Sequence, residues 1–168
     1  MNYAKIKKNS TANWVGISVS LYCQGCEFKC PHCFNKETWN PEGGKPFTDE
    51  VKKAMFEELK KSYYDALVLL GGEPTHRNNI ETMTQIAKEF KELFPNKTLV
   101  MFTGNVFEKI KNYEILNYLD YMIDGLFKQE LYSPLLRFRG SSNQRIIDVQ
   151  ESLKQNKVVL ATEYYEVS

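Results

Sequence analysis

The sequence predicts an α/β fold on a parallel sheet, wound as an open, partial β/α barrel. Three observations predict it. Short apolar, β-branched runs alternate with amphipathic helical stretches, the pattern of strand–helix–strand units with right-handed crossovers. The unusual residues sit in loops that start at strand ends, where parallel α/β folds place their ligands. The 168 residues are fewer than the roughly 200 that a complete eight-fold barrel takes.

The first strand is read in WVGISVSL (14–21), apolar and partly alternating. A cysteine-rich loop (22–35) and a turn-rich connector, PEGGKPF, follow. A helix is expected over 48–63, capped by Thr48, with Asp49 and Glu50 at the positive end of its dipole and Val51, Met55 and Leu59 on one face. ALVLL (66–70) reads as a buried strand running into the GGEP loop, 71–74. Asn78 with Glu81 resembles a capping box for a second helix, whose stripe is Ile80, Met83, Ile86, Ala87, Phe90 and Phe94, ended by Pro95. TLVMF (98–102) is the third strand, entering Thr103-Gly104-Asn105. One or two helical pieces are expected within 106–119, and a fourth strand in DYMID (120–124), followed by Gly125. Residues 126–168 are less regular, with a short helix and KVVLATEYY (157–165) as a closing strand. The length suits one domain over 1–168.

Composition narrows the function. Hydrophobic residues make up 42% and charged ones 26%, the balance of a soluble globular chain. With 22 Lys plus Arg against 21 Asp plus Glu, a net charge of +1 gives no support to nucleic acid or a membrane as partner. The N-terminal residues lack the apolar core of a signal peptide, and no apolar run approaches bilayer length. A cytoplasmic location is expected. There thiols stay reduced, so clustered cysteines point to metal or catalysis rather than disulfides.

All four cysteines fall within CQGCEFKCPHC, residues 23–33. As buried residues on a helix they would be interrupted by Pro31. As structural zinc ligands they offer two C-x-x-C pairs, though the loop between such pairs is usually longer than three residues. A ferredoxin run, C-x2-C-x2-C-x3-C-P, would need cysteine where Ser20 stands. A redox dithiol would leave the other pair without a role. What remains is C-x3-C-x2-C, formed by Cys26, Cys30 and Cys33.

This spacing resembles that of the radical SAM superfamily, and GGEP following a strand is similar to that superfamily's GGE motif. CEFKCPHCFNKETW, GGKPFT, LLGGEPTH, FTGN, IDG and FRGSSNQRIIDV, in that order, more narrowly resemble the activating proteins of anaerobic (class III) ribonucleoside-triphosphate reductases, over about residues 13–150. Cys23 is an extra thiol, and Asn105 stands where an aromatic is common. The resemblance implies a fold of the radical SAM type. It also implies one 4Fe–4S cluster on Cys26, Cys30 and Cys33, with an iron left open for S-adenosylmethionine, and no role for Cys23. It places His32, Cys33, Phe34, Gly71, Gly72, Glu73, Thr103 and Gly104 near S-adenosylmethionine, Glu73 suiting the methionyl ammonium. Core packing is an equal alternative for Phe34. Asp124 is a further candidate, as are Arg139 and Arg145, for which a solvated turn is the competing role. Asn35 and Trp39 would shape the cluster loop, Lys29 and Lys36 would either offset cluster charge or be plain surface residues, and His76 is expected in a loop.

The implied activity is reductive cleavage of S-adenosylmethionine to a 5′-deoxyadenosyl radical, which takes hydrogen from a glycine Cα of the reductase. An iron–sulfur potential at the low end of roughly −700 to +450 mV is needed. The partners would be the reductase and a flavodoxin-type electron donor. Rival readings are an activase like that of pyruvate formate-lyase, a deazaguanine synthase-like enzyme, or a zinc-binding interaction module.

Overall fold

The computed structural model describes residues 1–165. Its framework is a seven-stranded sheet in the order β3-β1-β2-β4-β5-β6-β7, which does not close on itself. The strands are β1 (Asn2–Ser10), β2 (Ser18–Cys23), β3 (Lys45–Pro46), β4 (Ala66–Gly71), β5 (Thr98–Phe102), β6 (Tyr121–Asp124) and β7 (Arg145–Asp148). The helices are α1 (Asp49–Leu59), α2 (Ile80–Leu93), α3 (Phe107–Ile110) and α4 (Val149–Gln155). The expected open α/β form is present. Its four central strands, β2-β4-β5-β6, are parallel, while β1, β3 and β7 add antiparallel flanks.

Side chains alternate across the central strands and divide the core in two. Leu67, Leu69, Leu99 and Met101 face α1 and α2, packing with Leu59, Met83, Ile86 and Phe90. Ala66, Val68, Leu70, Val100 and Ile123 face the other way, where Trp14 and Ala161 cover them. Thr48 Oγ1 accepts from Val51 N at 3.2 Å, the expected cap of α1. The piece expected within 106–119 appears as two, α3 and a 3-10 turn at Glu114–Asn117. Among the described residues, no helix is long and apolar enough to cross a membrane.

Four expectations need correction. The first strand begins at Ser18 rather than residue 14, because Trp14 turns into the second core and stacks on Tyr121 and Tyr164 at 5.0 and 4.8 Å. Asn79, not Asn78, precedes α2 and does not cap it: its Nδ2 donates to Gln24 O and Glu73 O at 2.7 and 3.0 Å. Residues 157–165 do not form a closing strand. They make one bridge, Leu160 to Ile147, and then a 3-10 turn at Thr162–Tyr164. Tyr165 accepts from Ile146 N at 2.8 Å, so this segment caps the inner face and does not extend the sheet. RIID within the irregular C-terminal region is strand β7, paired antiparallel to β6.

Candidate iron–sulfur and cofactor site

The GGEP loop and the cysteine loop are built around each other. Gly71 has φ +124°, and a Cβ there would stand 2.4 Å from Cys23 N. A Cβ on Gly72 would stand 2.6 Å from Gly25 O and 2.8 Å from Thr38 O. The two glycines are therefore required by the approach of backbone to backbone. Across that contact Gly72 N donates to Cys23 O (3.0 Å) and Glu73 N to Gly25 O (2.7 Å). The far end of the loop returns to the same place, with Gly25 N donating to Thr38 O (2.7 Å) and Cys26 N to Trp39 O (3.0 Å). The loop is thus clasped at both ends, and its middle is free to present thiols.

Cys26, Cys30 and Cys33 line one open cleft of about 660 Å³, counting the part open to solvent. Cys23 does not; it ends β2 and is fully buried in the core. Burial pushes the Cys26 and Cys30 thiols up, and backbone amides of Phe28 and Lys29 at Cys26, and of Phe127 at Cys30, oppose that shift. Asn35 N donates to Cys33 Sγ at 3.4 Å. One of the three sulfurs, that of Cys33, thus accepts from a peptide N–H. They line the cleft without converging on one point: no three His, Cys, Asp or Glu side chains among the described residues form a group fit for a single metal ion.

Gly71, Gly72, Glu73, Thr103 and Gly104 line the same cleft, with Phe28, Trp39, Phe102, Phe127 and Gln144. Glu73 is the hub. Its Oε2 accepts from Thr75 N (3.0 Å), Thr75 Oγ1 (2.7 Å) and Thr103 Oγ1 (2.6 Å), and its Oε1 from Gly104 N (2.7 Å). Burial pushes its carboxyl up from the usual range, while these donors pull it back. Thr103 thus spends its proton on Glu73. Oε1 carries one bond and keeps an acceptor direction free.

The other candidates lie apart. His32 is exposed, with φ 60°, and Phe34 is 64% exposed; neither lines the cleft. Asp124 is fully buried and takes both Nε and Nη2 of Arg145 at 3.0 and 2.6 Å, and Arg145 also reaches Glu108. Both are engaged in pinning β6 to β7. Arg139 lies over the Tyr165 ring at 4.4 Å.

Residues 12–147 match the family described as a 4Fe-4S single cluster domain. A protein of Enterobacteria phage T4 named anaerobic ribonucleoside-triphosphate reductase-activating protein is 39% identical over 146 residues, 87% of this chain and 93% of its own. Proteins of that name from Pasteurella multocida and Escherichia coli K12 are 33% and 29% identical, over 87% and 86% of this chain and 96% of theirs. The chain belongs to the family of anaerobic ribonucleoside-triphosphate reductase-activating proteins. Within this family member, sequence reasoning missed Phe28, Phe127 and Gln144 as cleft residues. Gln144 lies within the quoted FRGSSNQRIIDV stretch and reaches the cleft because β7 folds back beside β6, whereas Phe127, just past the end of β6, had no signal of its own.

Proposed function

We propose that this chain, acting as a single radical SAM domain, activates an anaerobic ribonucleoside-triphosphate reductase by generating its glycyl radical. The names carried by its relatives support the target, and the cluster-domain match supports an iron–sulfur centre. One observation carries the finer reading: three thiols and the GGE loop share a cleft from which the fourth thiol is excluded. In this reading Cys26, Cys30 and Cys33 each hold one iron of a 4Fe–4S cluster. Spread thiols suit several irons taking one thiolate each, whereas a tetrahedral zinc needs every ligand within about 2.3 Å of one centre.

When bound, cluster and S-adenosylmethionine supply, with one electron from a flavodoxin-type donor, the 5′-deoxyadenosyl radical that removes hydrogen from a glycine Cα of the partner. The chain's own residues supply placement. Gly71 and Gly72 leave the floor of the cleft without side chains. The free acceptor direction of Glu73 Oε1, and the peptide groups beside it, suit the methionyl ammonium. Thr103 and Gly104 hold that carboxylate still while bordering the cofactor. His32 and Phe34 are proposed toward the adenine at the rim, Phe34 through its contact with Phe127 at 5.1 Å. Phe28, Trp39, Phe102 and Phe127 limit water. A reducing cytoplasm suits thiol ligands that must stay free of disulfides.

The test is to mix the anaerobically reconstituted protein with the reductase, S-adenosylmethionine and a reductant, and to record the EPR spectrum. A glycyl doublet is expected. A colourless protein holding one zinc and giving no doublet would overturn the reading.

A further inference from the structure

The excursion between β6 and β7, residues 125–144, carries the most prominent apolar exposure among the described residues. Leu135 is 92% exposed, and Leu131 and Tyr132 are 39% and 43% exposed. Phe34, from the cysteine loop, joins them. Its ring lies 5.1 Å from Phe127 and 5.8 Å from Tyr132, so the surface spans two loops. From Leu131 to Leu136 the sequence is LYSPLL, without a charge.

This exposure is not that of a slack loop. Gln144 Oε1 accepts from Gly140 N and Ser141 N at 2.9 and 3.1 Å, and its Nε2 donates to Gly125 O at 3.0 Å. Asn143 Nδ2 donates to Leu126 O at 2.7 Å, and Lys128 N to Ser141 Oγ at 3.1 Å. A bridge pairs Tyr132 with Ser141. The SSNQ residues of RGSSNQR thus staple the excursion. A rigid loop that holds leucines and aromatics in water has the character of a protein-binding surface, since preorganisation lowers the entropy cost of docking and aromatic anchors dominate interfaces.

We propose that this two-loop surface is where the protein substrate docks, through an uncharged apolar face beside its reacting glycine loop. The inference rests on the functional reading above and names the contact it requires. The surface is continuous with the cleft, because Phe127, Gly125 and Gln144 line it. A partner loop that enters the cleft brings its parent domain over this rim, and only an object of protein size covers both loops.

The test uses Leu135→Asp, whose exposed position leaves folding untouched, with Leu135→Met as the conservative variant. Leu93→Ser, at a 56% exposed leucine of α2, serves as control. Three quantities are measured on the reconstituted proteins: 5′-deoxyadenosine formed from S-adenosylmethionine without partner, affinity for the reductase by anaerobic sedimentation, and the glycyl EPR signal. For Leu135→Asp we expect unchanged 5′-deoxyadenosine, affinity weakened at least about tenfold and a matching loss of glycyl radical at limiting reductase. Leu135→Met and Leu93→Ser should behave as wild type. Affinity within twofold of wild type for Leu135→Asp, or equal weakening by Leu93→Ser, would overturn the proposal. So would a change in the association state of the isolated chain, which would assign the surface to a second copy. Failure of the wild type to form 5′-deoxyadenosine would instead bring down the functional reading itself, and is told apart because no variant is involved.

Discussion

Removing the Glu73 carboxylate should destabilise the protein before any cofactor is added, because four donors from three residues, Thr75, Thr103 and Gly104, converge on it. Glu73→Gln keeps the shape and replaces one acceptor by a donor. If its amide nitrogen takes the place of Oε2, it meets Thr75 N–H and two hydroxyls; at the place of Oε1 it meets only Gly104 N–H, 2.7 Å away in the wild type. The second arrangement is the cheaper one and leaves one buried N–H without a partner, at about 1–3 kcal/mol. Glu73→Ala strands both Thr75 N–H and Gly104 N–H, at about 2–6 kcal/mol. At about 2–4 °C per kcal/mol for a chain of this size, melting should fall by about 2–12 °C for Gln and roughly twice that for Ala. The assay is thermal unfolding of the cofactor-free protein under reducing conditions, followed by circular dichroism. The pH dependence carries a sign. Burial raises the Glu73 pKa, so as pH climbs through the ordinary carboxylate range the unfolded chain gives up its proton first. Stability contributed by the protonated group therefore declines from that ordinary value up to the raised one and then levels, a slope the Glu73→Gln variant lacks. Melting temperatures equal to wild type in both variants would refute the hub and leave Glu73 as a ligand contact alone.

Cys26→Ala, Cys30→Ala and Cys33→Ala should each lose the cluster while Cys23→Ala keeps it, as read by iron and sulfide content after reconstitution; equal loss in all four would sink the ligand assignment. Gly72→Ala places a methyl 2.6 Å from Gly25 O and 2.8 Å from Thr38 O, so it should push the cysteine loop off the GGEP loop and lower iron content severalfold, with the sheet's circular dichroism retained. Arg145→Ala strands a buried Asp124 carboxylate and should cost about 3 kcal/mol, measured by urea unfolding.

Much of this was legible because local signals and tertiary structure agree. ALVLL and TLVMF are buried on both faces, so their unbroken apolar runs read as central strands, and Thr48 caps the helix its position announces. The misreadings have one cause, residues whose long-range partner outweighs the local pattern. Trp14 looks like part of a strand but is drawn into an aromatic stack. KVVLATEYY has strand composition, yet its tyrosines gain more by capping the inner core. MNYAKIKKNS went unassigned because its lysines hide the alternation, although it makes nine residues of β1. At the site, the thiol spacing and GGEP were visible, whereas the role of Thr103 was not. A hydroxyl that could face a ligand was the sequence's only hint, and its partner, Glu73, lies 30 residues away.

The glycine pair and the excluded thiol follow from one constraint. β2 and β4 are adjacent parallel strands, and Cys23 pairs with Gly71 at the last step of their ladder. Two loops therefore leave the sheet side by side, and whatever ends β2 is pressed against whatever ends β4. A side chain at Gly71 or Gly72 would force them apart, and Cys23, still inside the ladder, has no route to the cleft. Gly25 is still inside that contact, its O accepting from Glu73 N at 2.7 Å, and the next residue is Cys26. The proposed ligand set thus begins where the sheet stops, which is why the geometry separates one cysteine from the other three although all four share eleven residues of sequence.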